Sequence, residues 1–310
     1  MKTAVLILWC ILLSAGCGDT ERPALNAVAK TDGRAEKLAA RKNAVARYFQ
    51  PMRVREGDWL DTQKEPGQTF EDYIKSGPTL PTSERRTIYI QPIGIFSAEQ
   101  KRVIQLTADY MKAFYNLPVK LNVQMPLGDV PENKRRKIEY RKNLQIRTSY
   151  FLDDLLPRML PSDAAALIAF TNYDLYPEQT WHFVFGQASF EKRVGVWSLY
   201  RLADQSTSKR DPRPLLSRTL KIAMHETGHM FSMKHCIKYE CLMSGTNHLE
   251  ETDRRPLDNC PECMAKIAWA MNYDPVERYN RLAEFWRRNG RPDEAIAMLE
   301  KANAMANTSK

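Results

Sequence analysis

The sequence lacks an apolar segment long enough to serve as a permanent membrane anchor. Its most apolar run, Ala4–Leu13, is too short to span a hydrocarbon core of about 30 Å. Aromatic residues are nearly absent from the densest basic run, Lys134–Lys137 with Arg141 and Lys142, where Tyr140 stands alone. Despite the formal net charge of +9, this composition is more typical of a solvated loop than of a nucleic-acid-binding surface. We therefore expect no nucleic-acid partner.

Histidine and cysteine are also scarce, with five and six residues in a chain of 310, but they are concentrated in one region. Seven potential zinc ligands lie between 225 and 263, and they are His225, His229, His235, Cys236, Cys241, Cys260 and Cys263. Such a concentration of zinc-binding residue types predicts a metal-dependent function for this part of the chain.

His225 and His229 are spaced so that they can bind one metal ion together. Residues four apart on a helix project from the same face, so both rings can reach a zinc ion at about 2.0–2.1 Å. Glu226 follows the first histidine immediately, which places its carboxylate beside the metal, where it can accept a proton from a zinc-bound water. The pattern therefore predicts a zinc site with Glu226 as the general base.

A catalytic zinc usually has three protein ligands and an open position for water, so a third donor is needed. His235, six residues beyond His229, is the nearest candidate. Its ring returns to the metal only if the helix ends soon after His229 and the chain reverses. The pattern resembles that of metzincins, in which a glycine three residues after the second histidine makes this turn. The resemblance implies a turn at Ser232 here, where a left-handed conformation costs a non-glycine residue about 1–2 kcal/mol.

The four cysteines of this region form two short-spaced pairs, Cys236 with Cys241 and Cys260 with Cys263. Two such pairs are the usual frame of a closed, tetrahedral structural zinc site. Two disulfides are the alternative, because an exported protein enters an oxidising compartment. We favour zinc, and since Cys236 directly follows His235, this site would also orient the third histidine.

The complete ligand pattern resembles that of a known family. It is His225-Glu226-x-x-His229-x-x-Ser232-x-x-His235-Cys236-x4-Cys241-x-Met243, followed by Cys260-x-x-Cys263. This pattern resembles the archaemetzincins, a metzincin family that carries a second zinc beside the catalytic one. The likeness extends over about residues 86–290 and includes Tyr89–Gly94, Asp174–Pro177, Phe183–Ser189, Asn247–Glu251 and Arg254–Leu257.

The resemblance implies a zinc metallopeptidase with two zinc ions per chain, one catalytic and one structural. It assigns His225, His229 and His235 to the catalytic zinc, Glu226 to the base, Met243 to the turn below the site, and the four cysteines to the structural zinc. Ser232 replaces the glycine of the family, so we expect any departure from family behaviour at this turn.

Members of the family are credited with aminopeptidase-like cleavage, which requires an acidic group near the free amine of the substrate. The unranked candidates are Asp174, Glu178, Glu250 and Glu251. His248, shortly after Met243, is a candidate for substrate contact, whereas His182 is left unassigned. The alternative function is that of a non-catalytic, zinc-stabilised binding protein.

The N-terminus has the pattern of an export signal. One positive charge precedes the apolar run, and the small residues Ser14–Gly16 then lead to Cys17. This resembles a bacterial lipobox, in which Cys17 is lipidated, although ordinary cleavage after Gly16 is the alternative. We expect an exported, membrane-anchored lipoprotein on the periplasmic or cell-surface side.

We predict four regions: an export signal at 1–16, a spacer at 17–85, a metzincin-like peptidase domain at 86–273 and a helical hairpin at 274–310. The spacer either forms a solvated helix over Ala24–Tyr48 or is disordered. The hairpin resembles a single tetratricopeptide repeat, which cannot form a peptide groove alone and is expected to pack on the peptidase domain.

The peptidase domain is predicted to have a mixed α/β fold with an active-site helix and a zinc-stabilised C-terminal subdomain. Alternating residues in Thr87–Gly94 predict a half-buried strand, and Ala98–Asn116 has helical periodicity. Arg193–Tyr200 is expected either to be an exposed edge strand beside the substrate, with Gly195 allowing close approach, or to be part of a hairpin with a core tryptophan. Further strands are predicted at Val119–Val123, Ala165–Phe170 and His182–Phe190.

Overall fold

The computed structural model describes residues 33–138, 143–202 and 213–309. The predicted export signal, Cys17 and the basic pair Arg141-Lys142 lie outside these residues. Within the described ranges, no helix combines the length and the apolar character needed to cross a membrane.

The main sheet has five strands in the order β2-β1-β5-β8-β7, of which the first four run parallel and β7 is antiparallel. Its strands are β1 (Thr87–Ile93), β2 (Val119–Leu121), β5 (Ala164–Thr171), β7 (Gly186–Ala188) and β8 (Val194–Ser198). Every residue of β1, β5 and β8 is buried, because helices and loops cover both faces of the sheet. The prediction that β1 is half-buried was therefore wrong, whereas the strand itself is confirmed.

The edge strands of the main sheet are β2 and β7, and β8 lies inside it between β5 and β7. Trp197 of β8 is fully buried, and a side chain at Gly195 would collide with Met230. The edge-strand hypothesis for β8 was wrong, and the hairpin with a core tryptophan is correct.

A smaller sheet joins β3 (Arg135–Ile138), β4 (Asn143–Arg147) and β6 (Asp174–Tyr176). Asp174–Pro177, one of the segments of the family resemblance, belongs to this smaller sheet, where β6 pairs in parallel with β4. The loop that follows β6 is thereby held to this second sheet, where Gln145 and Arg136 donate hydrogen bonds to the carbonyl oxygen of His182.

Helices surround the main sheet and form most of the remaining structure. They are α1 (Gly33–Arg41), α2 (Trp59–Thr62), α3 (Phe70–Lys75), α4 (Ala98–Tyr115), α5 (Leu156–Met159), α6 (Arg213–Met230), α7 (Leu249–Arg254), α8 (Pro261–Met271), α9 (Pro275–Arg288) and α10 (Pro292–Ala306). Helix α4 confirms its prediction: Ser97 and Gln100 form a capping box, and Asn116 ends the helix in a left-handed conformation.

The described part of the predicted spacer packs against the rest of the protein. Val45, Phe49, Phe70 and Tyr73 are buried in the same core as α6 and α8. The hydroxyl of Tyr73 donates a hydrogen bond of 2.7 Å to the carbonyl oxygen of Phe231, just beyond α6. Residues 33–85 therefore differ from a bare spacer, because their scattered apolar side chains are core residues without a regular period.

The C-terminal hairpin consists of α9 and α10 and packs on α4, as predicted. Asp274 caps α9 through a hydrogen bond to the Val276 amide. Phe285 and Trp286 of α9 contact Tyr110 of α4, with ring centroids 5.1 and 5.5 Å apart. The hairpin thus adds buried aromatic side chains to the core next to α4.

Candidate metal centre

Helix α6 places His225 and His229 on one face, four residues apart. Their Nε2 atoms lie 3.0 Å apart. The Nδ1 atoms point away from each other and pair with the carbonyl oxygens of Leu242 at 2.9 Å and Met233 at 2.6 Å. These backbone contacts hold both rings with Nε2 facing the same point, which is the orientation that a shared metal ion requires.

The helix ends at Met230, and Ser232 adopts a left-handed conformation with φ of 63°. This confirms the turn predicted at Ser232. The Ser232 hydroxyl accepts a hydrogen bond of 3.0 Å from the amide of Thr79. A residue of the predicted spacer therefore stabilises the strained turn. Because the chain reverses here, His235 returns to the helix face that carries the other two histidines.

Glu65, which sequence analysis did not single out, orients the third histidine. Its carboxylate oxygens lie 2.9 and 3.0 Å from Nδ1 of His235. The ring also packs edge-on against Trp59, with centroids 5.2 Å apart. Glu65 stands in a polar segment with no periodic pattern, so the sequence carried no local signal for this long-range contact.

The three histidines fit a zinc ion. Their ligand atoms all lie within 4.8 Å of one another, and tetrahedral bonds of about 2.0–2.1 Å need nitrogens about 3.3 Å apart. Each Nδ1 already has an oxygen partner, which leaves three Nε2 atoms as the donor set. This arrangement matches an open catalytic site rather than a closed structural one.

Glu226 is half-buried beside the histidines and lines the same cavity. Burial raises its pKa to about 8, while a hydrogen bond with the backbone of Ala188 acts in the opposite direction. A Cβ atom at Gly186 would lie 3.1 Å from Cγ of Glu226 and 2.9 Å from the side chain of Trp197. Glycine at this position of β7 therefore makes room for the carboxylate beside the edge strand.

Met243 lies directly under the active-site helix. A side chain at Gly228 would come within 2.6 Å of Sδ of Met243, so the glycine allows the thioether to pack against α6. The carbonyl oxygen of Met243 accepts a 2.8 Å hydrogen bond from the amide of Cys236. The backbone at Met243 thus links the residues below the three histidines to Cys236, the first cysteine of the cluster.

The four cysteines converge into one buried cluster next to the histidine site. Their Sγ atoms lie within 4.8 Å of one another, and those of Cys236 and Cys260 are 3.6 Å apart. Tetrahedral zinc–sulfur bonds of about 2.3 Å need sulfurs about 3.8 Å apart, so the cluster fits a zinc ion. None of the four forms a disulfide, and the backbone amide of Cys260 donates a hydrogen bond of 3.3 Å to Sγ of Cys241.

A cavity of about 400 Å³ opens over the histidines and Glu226. Five aromatic side chains are part of its lining, and they are Trp59, Trp181, Phe183, Phe185 and Phe190. Of the four acidic candidates for amine recognition, Glu178 alone lines the cavity. Asp174 is buried against Arg201, and Glu251 is buried against Arg255.

His248 does not line the cavity, so the structure gives no support to its predicted substrate contact. It caps α7 instead, with Nδ1 accepting a hydrogen bond from the amide of Glu251. His248, Asp58 and Glu251 could geometrically hold a metal ion, but Asp58 and Glu251 already pair with Arg254 and Arg255. We interpret this group as an ion-pair network.

Comparisons with known proteins agree with this geometry. The family model described as Peptidase family M54 matches residues 140–269. The chain is 35% identical to Archaemetzincin-2 of Macaca fascicularis over 260 residues, covering 74% of this chain and 71% of the relative, and 36% identical to that of Homo sapiens with the same coverage. The solved archaemetzincin from Methanopyrus kandleri aligns with a TM-score of 0.50 and 25% identity, covering 62% of this chain and 98% of that one.

Proposed function

The chain belongs to the archaemetzincin family and is a zinc metallopeptidase, and from this premise we propose that its three histidines hold the catalytic zinc while Glu226 acts as the general base. The observation that carries this assignment is the convergence of three Nε2 atoms beside a carboxylate in one open cavity. A non-catalytic binding protein would need neither the base nor the open position.

When bound, zinc polarises the scissile carbonyl and acidifies the attacking water. Glu226 accepts the proton that this water releases and delivers it to the leaving amine. Burial acts to hold the pKa of Glu226 above its ordinary value, and a bound cation acts in the opposite direction. The edge strand β7 lies beside Glu226, and the extended backbone of a peptide substrate can pair with it there.

We further propose that the four cysteines hold a second, structural zinc. Supporting this, Cys236 directly follows His235, and the amide of Cys236 bonds to Met243. A filled cysteine site would therefore hold the third histidine and the methionine turn in place together. The expected content is two zinc ions per chain.

The test combines metal content with peptide cleavage. Glu226→Gln is expected to retain two zinc ions by mass spectrometry of the native chain and to lose cleavage of a mixed peptide library by at least about a hundredfold. Glu99→Gln, an exposed change on α4, is the matched control and is expected to behave like the wild type. Unchanged cleavage in Glu226→Gln, or one zinc ion per wild-type chain, would contradict these assignments.

We also propose export and lipidation at Cys17, supported by the sequence pattern Ser14-Ala15-Gly16-Cys17 after an apolar run. Bacterial cells that express the full chain are fed an alkyne-labelled fatty acid. Label is expected in the wild type and in Cys10→Ala but not in Cys17→Ala. A wild-type chain without label would refute the lipoprotein proposal.

A further inference from the structure

Lys221 lies on α6 one turn before His225 and lines the same cavity. One turn corresponds to about 5.4 Å along the helix axis, so this side chain belongs to the immediate surroundings of the reaction centre. Only 8% of its surface is exposed. A lysine this deeply buried is unusual unless its charge is compensated.

The ammonium group of Lys221 is bound only to backbone oxygens within the described part of the chain. Nζ donates to the carbonyl oxygens of Thr252 at 3.0 Å and Asp253 at 2.9 Å, at the end of α7. The carboxylate of Asp253 is instead engaged by Arg218, at 2.8 and 2.6 Å. Two carbonyls satisfy two of three N–H bonds and supply only partial negative charge.

Burial dominates the electrostatics of Lys221. Burial lowers its pKa to about 8, and Arg218 acts in the same direction, against the attraction of Asp253. A carboxylate placed in the cavity would restore the charge balance that water supplies to an exposed lysine.

The surrounding wall offers further donors. Arg255 also lines the cavity and is 4% exposed, and its Nε atom has no partner among the described residues. Its two terminal nitrogens are occupied by Glu240 and Glu251, which fix the guanidinium in place. The cavity lining at α6 and α7 therefore includes two buried basic side chains, and Lys221 is the one whose ammonium group contacts backbone carbonyls rather than a carboxylate among the described residues.

We propose that Lys221 recognises a carboxylate of the peptide substrate in this cavity. The carboxylate is either the side chain of Asp or Glu near the scissile bond or the C-terminal carboxylate of a short peptide. The proposal rests on the peptidase function and deepens it by naming the substrate class.

The test uses matched synthetic peptides cleaved by the zinc-loaded wild type. Each peptide carries Glu or Gln at one position adjacent to the scissile bond, and each is made as a C-terminal acid and as an amide. A charge-assisted hydrogen bond to Lys221 is expected to raise kcat/KM about tenfold for Glu over Gln, or for acid over amide. The two comparisons separate the two sources of the carboxylate.

Lys221→Met is expected to bring that ratio close to one, because it removes the cation and preserves the length of the side chain. Lys101→Met, an exposed change on α4 that does not line the cavity, is expected to keep the wild-type ratio. If Lys221 served only to cap α7, its replacement would lower the melting temperature but leave the ratio unchanged, which would overturn the proposal.

A second measurement does not depend on how well Lys221→Met folds. Calorimetric titration of Glu226→Gln with the same peptides is expected to show higher affinity for Glu than for Gln, or for the C-terminal acid than for the amide. If the wild type cleaved all peptides at equal rates and the affinities were equal, carboxylate recognition would be refuted and the peptidase function would stand. Failure of the wild type to cleave any peptide would instead contradict the proposed function.

Discussion

Single residues set the geometry of the catalytic centre, and Ser232 shows how. It is left-handed at the turn that follows α6, and its hydroxyl accepts a hydrogen bond from the amide of Thr79. Serine therefore combines a conformational cost with a tertiary contact that glycine cannot make. His235 returns to the other two histidines because the left-handed residue reverses the chain, and the contact with Thr79 offsets part of its conformational cost.

Ser232→Gly is expected to be more stable than Ser232→Ala by about 1 kcal/mol, since both lack the hydroxyl and only alanine keeps the left-handed strain. Denaturation by urea gives the two free energies of unfolding. The control pair Gln105→Gly and Gln105→Ala, on the exposed face of α4, should show the opposite order. Equal stability of the two Ser232 variants would contradict a strained turn.

Glu65 is a positioning residue for His235, because it contacts the nitrogen that does not face the metal site. Glu65→Ala is expected to weaken zinc binding at the histidine site about tenfold to a hundredfold. Competition with a chelator measures this affinity without reference to activity. Glu84→Ala, on an exposed loop, is the control, and an unchanged affinity in Glu65→Ala would disprove the positioning role.

At the scale of elements, a buried ion network connects the cysteine cluster to the C-terminal hairpin. Asp258 accepts hydrogen bonds of 2.8 Å from Arg278 of α9 and from Lys301 of α10. Burial acts to raise the pKa of Asp258, but the two cations outweigh it and hold the pKa below its ordinary value. The backbone carbonyl oxygen of Asp258 also accepts a hydrogen bond from the amide of Leu242, the residue after Cys241.

Asp258→Asn is expected to destabilise the protein by about 3–5 kcal/mol, because it leaves two buried cations without a counter-charge. Denaturant titration with zinc at saturation measures the loss. Glu284→Gln, which breaks an exposed pair with Arg287, should change stability by less than about 1 kcal/mol. A similarly small effect at Asp258 would show that the network does not hold the hairpin.

At the scale of the whole molecule, the segment before the first strand is part of the active enzyme. Residues 33–85 supply buried side chains to the core, Trp59 to the cavity wall and Glu65 to the third histidine. That the peptidase domain begins at residue 86, after a spacer that ends at residue 85, stays a prediction. The contacts across this boundary indicate that the peptidase domain depends on the preceding residues.

A chain shortened to residues 86–310 is expected to lose zinc from the histidine site and to become sensitive to proteolysis, since it loses Glu65 and the core side chain of Tyr73. A chain of residues 33–310 is the control and should retain both zinc content and protease resistance. Metal analysis and limited trypsin digestion provide the two measurements. Full zinc content in the shorter chain would refute the dependence.

The sequence by itself predicted the types of the proposed ligands and the helix of His225 and His229, because these follow from local spacing, and it predicted most strands from their periodicity. The helical hairpin and the turn at Ser232 were predicted from resemblance to known sequence patterns. Tertiary structure decided which strand forms the edge, that Glu65 meets His235, and that Lys221 lies buried without a carboxylate partner in the described chain. These features join residues distant in sequence, and their energies arise from burial and charge pairing that no local pattern encodes.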